Sequence, residues 1–148
     1  RLLLVGVLKG AFVLTADLCR ALFELGLDDV EIDFIKISSY NGGTESSRNP
    51  KLVKDVDTDV LGRRVILVED IVDTGHSLAA LHALFLTRGT SSLETFCLLS
   101  KPSRREIQVP VDYVGFEVDF WAEGFGLDSD QYGRANPSIV KVTKKVTN

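Results

Sequence analysis

The sequence has no methionine, only two cysteines and no block of basic residues. Cys19 and Cys97 lie in apolar stretches without metal-ligand spacing, so two buried free thiols are expected, and with them a reducing cytoplasm. The formal net charge of −4 and the scattered Lys and Arg leave no electrostatic footprint for nucleic acid, which is bound through clustered cations. A small-molecule partner fits better. Apolar runs such as 65–68 and 78–86 fall far short of the roughly 20 residues a membrane helix needs, and no cleavable signal pattern opens the chain. No G-x-G-x-x-G follows the first apolar run and no G-x-x-x-x-G-K-[ST] occurs, which excludes a dinucleotide-binding Rossmann domain and a P-loop. With Arg1 at its head, the chain is expected to lack an upstream segment.

At 148 residues and 45% hydrophobic, the chain has the length and apolar content of one globular domain, taken as residues 1–148. Leu2 to Leu8 is a continuous apolar run closed by Lys9 and Gly10, which predicts a buried strand ending in a tight turn. Residues 11–26 read as a helix with Phe12, Leu14, Leu18, Leu22 and Leu25 at helical spacing and Gly26 as its stop. Residues 30–38 alternate as a second strand. Residues 40–59 carry Asn41-Gly42-Gly43, Ser46-Ser47 and Asn49-Pro50, which marks a long functional or mobile surface loop with an edge ribbon near 51–56. Strands at 65–68, 93–99 and 112–116 and an amphipathic helix at 77–88 complete the pattern. The alternation predicts an α/β fold: a largely parallel central sheet flanked by helices on both faces, with the ligand site beyond the carboxyl ends of the strands. Lys9-Gly10, the 69–77 turn and Lys101 would gather at that edge.

The run from Val65 to Ser77 sets three carboxylates and a small-residue turn between a buried strand and a helix. A helix start offers unpaired N–H groups and the positive end of the helix dipole. The 73–77 turn is therefore suited to cradle a phosphate through backbone donors, including that of His76, and the Thr74 and Ser77 hydroxyls. Gly75 lets the backbone approach the anion. Glu69 and Asp70 are placed to bind vicinal sugar hydroxyls, directly or through a hydrated divalent cation. Asp73 is left as a proton-transfer group. The competing reading has Thr74 and Ser77 merely capping the helix, but one cap suffices there, and three clustered acids repel unless cations or hydroxyls fill the site.

The thirteen-residue run resembles the ribose-phosphate signature of type I phosphoribosyltransferases, and nearly the whole chain is similar to their hypoxanthine-guanine branch. Leu8-Lys9-Gly10 resembles the family's pyrophosphate-binding loop, and Ser39-Tyr40 the start of its mobile lid over 40–59. Lys101 matches the lysine that donates to the purine O6, and the Gly124–Asp128 segment with Arg134 resembles the distal base and pyrophosphate segment. The resemblance implies transfer of a phosphoribosyl group from 5-phosphoribosyl pyrophosphate to a 6-oxopurine, with Mg2+ held at Glu69, Asp70 and Asp128. It further implies pyrophosphate neutralised by Lys9, Gly10 and Arg134, Asp73 exchanging a proton with the purine N7, and the base held by Ile71, Lys101, a stacking Trp121, Ala122 and Asp128. A small hood near the C-terminus, the absence of the family's N-terminal hood elements, and a homodimer or homotetramer are also implied. Glu123 stands where relatives carry a small apolar residue, facing either the base or solvent.

Two other functions compete. Val72-Asp73-Thr74-Gly75 also resembles the aspartic-protease triplet, but it occurs once and a helix pattern follows it. A non-catalytic regulator of the same fold is opposed by the presence of both Asp73 and Lys101. Within the enzyme class, xanthine or adenine is the alternative base.

Overall fold

The structure, a computed structural model, describes residues 1–38 and 50–143. Ser39, Tyr40 and the rest of the expected lid up to residue 49 lie outside the described residues. Six strands form one sheet: β1 (Leu2–Val7), β2 (Val30–Ser38), β3 (Lys51–Lys54), β4 (Arg64–Val72), β5 (Ser92–Ser100) and β6 (Tyr113–Glu117), in the spatial order β3-β2-β1-β4-β5-β6. Every pairing is parallel except the β2–β3 edge. The chain winds outward from β1 to β3, then returns to β4 and winds the other way, so the order reverses between β1 and β4. An open parallel sheet has its ligand crevice at that reversal.

Helices α1 (Phe12–Glu24) and α2 (His76–Thr87) cross over on opposite faces, because alternate strand residues point to opposite sides. Leu4 and Val68 meet Ala11, Leu14, Leu18 and Leu22 of the α1 segment. Leu3, Val5 and Leu67 meet Leu78, Leu81 and Phe85 of α2. The buried stripe of α1 is narrower than its apolar pattern suggests. Phe12 lies about 200° around the helix from Leu14 and is exposed, while Leu25 falls at the C-cap beyond the last helical residue. Cys97 is buried as expected, whereas Cys19, on the flank of α1, is only half-buried; both are free thiols. A two-stranded antiparallel hood of β7 (Ala122–Glu123) and β8 (Val140–Lys141) closes over the carboxyl edge of the sheet.

Phe85 has no exposed surface and ties α2 to β1 and β4. Phe85→Ala is expected to destabilise the protein by about 3–5 kcal/mol in urea unfolding. A loss below about 1 kcal/mol would mean α2 is not docked on this face.

Candidate active site

The crevice exists because neighbouring strands end at different heights. β1 and β4 pair from Leu2–Arg64 to Gly6–Val68, but β4 continues along β5 through Glu69–Cys97 to Val72–Ser100. The sequence pattern ends this strand at Val68 and reads Glu69 and Asp70 as turn residues. The parallel partner β5 instead holds them extended, and adjacent residues of a strand point to opposite faces. Glu69 lines a cavity of about 350 Å³ with Asp73, Thr74, Gly75, Ser77 and Arg104. Asp70 lines an adjoining one of about 510 Å³ with Lys101, Ala122, Asp128 and Gln131. Ile71, Asp73 and Trp121 face both.

Gly75, at φ 93°, is the N-cap of α2, and no side chain caps the helix. Neither Thr74 nor Ser77 is used as a cap, so the first-turn N–H groups remain open towards the smaller cavity. A Cβ at Gly75 would sit 2.7 Å from the Ile107 carbonyl, because the loop after β5 straps down over the turn. The backbone N–H groups of Glu106 and Ile107 donate to the Thr74 carbonyl at 2.9 and 3.1 Å. His76 Nε2 lies 2.8 Å from Glu106 Oε2, which turns the imidazole to the strap and leaves its backbone at the turn. Arg104 Nε donates to Asp73 Oδ1 at 2.6 Å.

Across the notch, the Leu8–Lys9 peptide is cis and Gly10 is pressed against β4. A Cβ on Gly10 would overlap the Asp70 carboxylate, and one on Gly126 would overlap the Gly10 carbonyl, so two glycine backbones and the Asp70 side chain meet with no room for further side chains. Lys9 Nζ donates to Gln131 Oε1 at 3.3 Å. Arg134 donates to the same oxygen at 3.2 Å, to the Gly126 carbonyl at 2.9 Å, and pairs with Asp128 at 2.8 Å. At the far wall Lys101 is buried, with its ammonium 5.4 Å from the centroid of the exposed Trp121 ring. Trp121 is held edge-on by a hydrogen bond from its Nε1 to Ser129 Oγ at 2.9 Å.

A family model described as the phosphoribosyl transferase domain matches residues 1–130. The hypoxanthine phosphoribosyltransferase of Escherichia coli K12 is 42% identical over 142 residues, which span 95% of this chain and 78% of that protein. The hypoxanthine-guanine phosphoribosyltransferase of Aquifex aeolicus is equally similar, at 42% over 142 residues and the same shares. The structure of the Trypanosoma cruzi hypoxanthine phosphoribosyltransferase in complex with IMP superposes with a TM-score of 0.90 at 37% identity, over 99% of this chain and 77% of that one. The chain belongs to the hypoxanthine-guanine phosphoribosyltransferase family.

Within this phosphoribosyltransferase fold the two strand-end acids are electrostatically unusual. Burial, reinforced by the neighbouring Asp70 charge, pushes Glu69 well above the ordinary carboxylate range. Burial likewise pushes Asp70 up to about 6, against the lowering effect of the Ile71 N–H and of Arg134. The buried Cys97 thiol beneath them is pushed up to about 12 by burial and then by Glu69, so it stays protonated and is no nucleophile.

Two residues that line these cavities, Arg104 and Gln131, escape the sequence reading. Arg104 carried a faint signal, as a cation four residues beyond a strand end that faces acids. Gln131 carried none: its backbone, at φ 73°, follows Asp130 at φ 51° in a two-residue turn closed by reciprocal Ser129 and Tyr132 hydrogen bonds, and only that turn brings its amide between Lys9 and Arg134. Glu123 does not line either cavity. It lies over Gly133, where a Cβ would come within 3.2 Å of its carboxyl carbon.

A carboxyl whose folded pKa is raised holds its proton more tightly in the native state. The associated stability is full below the unfolded value of about 3.8 and is lost as pH rises through about 6. Asp70→Asn removes that loss, and at pH 8 without ligand the variant is expected to be roughly 1–3 kcal/mol more stable than the parent, with the difference vanishing near pH 4. Urea unfolding of both proteins at the two pH values checks this, and an unchanged difference would contradict it.

Proposed function

We propose that this chain transfers the 5-phosphoribosyl group of phosphoribosyl pyrophosphate to N9 of hypoxanthine or guanine, forming IMP or GMP and pyrophosphate. One observation carries the reading: Lys101, a buried residue, lines the cavity that Asp70 and Asp73 also line, and its ammonium lies over the Trp121 ring with no carboxylate within ion-pair distance among the described residues. An ammonium is a donor with no acceptor capacity, so this one faces the cavity as a donor without a carboxylate partner, and a purine O6 resting beside Trp121 supplies an acceptor. Adenine offers an amino group at that position and leaves the ammonium unsatisfied.

The residues divide the chemistry between the two cavities. The 73–77 turn takes the 5′-phosphate through open N–H groups and the Thr74 and Ser77 hydroxyls. Glu69 and Asp70 accept hydrogen bonds from the ribose hydroxyls, which return to both carboxylates the solvation lost on burial. Lys9, the Gly10 backbone and Arg134 bind the departing pyrophosphate once it displaces the Gln131 amide from the two cations. Trp121 and Ile71 sandwich the base, and backbone groups at Ala122 and Asp128 read its edge. As the C1–pyrophosphate bond breaks through an oxocarbenium-like state and N9 bonds to C1, Asp73 accepts the proton leaving N7. Among the described residues no three His, Cys, Asp or Glu side chains cluster closely enough to hold a metal alone. The hard carboxylate oxygens of Glu69, Asp70 and Asp128 nevertheless fit Mg2+, which takes one or two carboxylates and completes its shell with water and substrate oxygens. When bound, Mg2+ neutralises charge on the leaving pyrophosphate.

The direct test incubates the protein with Mg2+, phosphoribosyl pyrophosphate and hypoxanthine, guanine, xanthine or adenine in turn. Nucleotide is expected from the first two, and turnover with adenine alone would sink the role of Lys101. Asp73→Asn is expected to lower kcat by about 10²–10⁴-fold while changing the KM for phosphoribosyl pyrophosphate far less. Equal losses in both would make Asp73 a ligand and not the proton acceptor.

A further inference from the structure

The smaller cavity has a charge imbalance that the backbone turn does not resolve. Its ionisable lining is Glu69, Asp73 and a single cation, Arg104. Lys101 belongs to the adjoining cavity, and Lys9 and Arg134 are gathered at Gln131. A phosphate dianion entering beside the Asp73 carboxylate, in a space partly closed to water, calls for a cation with the planar fork that phosphate oxygens match.

We propose that Arg104 is a ligand of the substrate 5′-phosphate and that the same guanidinium positions Asp73, an inference that rests on the functional reading above. Arg104 is built for both contacts. Its Nε is spent on Asp73 Oδ1 at 2.6 Å, and among the described residues its two terminal nitrogens have no recorded partner. It closes the 3-10 turn Pro102–Arg104, in which its N–H donates to the Lys101 carbonyl at 3.1 Å. The strap that follows is anchored on Thr74, the residue before Gly75 of the phosphate turn. The Arg104 side chain is 60% exposed and the Asp73 side chain 34%, and an ion pair that open contributes little to folding. Its removal therefore leaves the fold standing and isolates its role at the site. Arg104 so links two events: phosphate seated on its free edge holds the guanidinium, and its Nε holds one Asp73 oxygen, which leaves the other oxygen for the purine.

The test measures inhibition constants of IMP, which carries the 5′-phosphate, and of pyrophosphate, which occupies the Lys9–Arg134 side. Arg104→Gln is expected to weaken IMP at least tenfold and pyrophosphate by less than twofold, with Arg104→Lys in between for IMP. The same substitution made in the Asp73→Asn protein is expected to weaken IMP by a similar factor, because the phosphate contact survives the loss of the Asp73 charge. Equal weakening of IMP and pyrophosphate, no change in either, or loss of the effect in the Asp73→Asn background overturns the proposal. Failure of the parent protein to form nucleotide from any purine would overturn the functional reading instead.

Discussion

The overhang of β4 beyond β1 places two adjacent carboxylates where water is scarce, and the rest of the site is organised around that placement. Strand alternation divides Glu69 and Asp70 between the two faces of the sheet, so each serves a different cavity while both remain at one height along the crevice. Burial raises both, and their proximity raises Glu69 further. The folded protein therefore holds proton-hungry groups at its reversal point, at a cost to its own stability above neutral pH.

Close backbone approach is the second requirement. Gly10 lies against the Asp70 carboxylate and Gly126 against the Gly10 carbonyl, so the loop after β1 is held between the Asp70 side chain and the backbone of the hood segment. The left-handed run Gly124, Phe125, Gly126, with φ of 91°, 52° and 96°, turns the hood sharply enough to make that stack. The run places Asp128 and Arg134 next to one another and aims the 129–132 turn at Lys9. Gln131 then lies between two cations that would otherwise repel, as a neutral acceptor that an anionic ligand can replace.

The strap after β5 closes over the 73–77 turn at the smaller cavity as the hood closes over the larger one. Lys101 follows β5 and faces the larger cavity, and within five residues the chain has turned back so that Arg104 reaches Asp73 and Glu106 reaches His76. One short segment thus touches both cavities.

Much of the fold was legible beforehand because its signals are local. The apolar run 2–8, the alternation over 30–38 and the 3.6-residue spacing of Leu78, Leu81 and Phe85 each reflect burial on a known face, and the order of elements implied the parallel sheet. The strand-to-helix run from Val65 to Ser77 carries its acids, hydroxyls and glycine in consecutive residues, so their grouping at one sheet edge was readable for the same reason. What could not be read were features set by a neighbour distant in sequence: the extension of β4 to Val72 depends on β5, the exposure of Phe12 on which face of α1 the sheet takes, and the orientation of Glu123 on Gly133. By itself the sequence determined which residue types stand beside the phosphate turn. Only the tertiary structure decided that Arg104 faces Asp73 and that Gln131 bridges Lys9 and Arg134, because those contacts span 31 and 122 residues of chain and arise from loops whose paths no periodicity encodes.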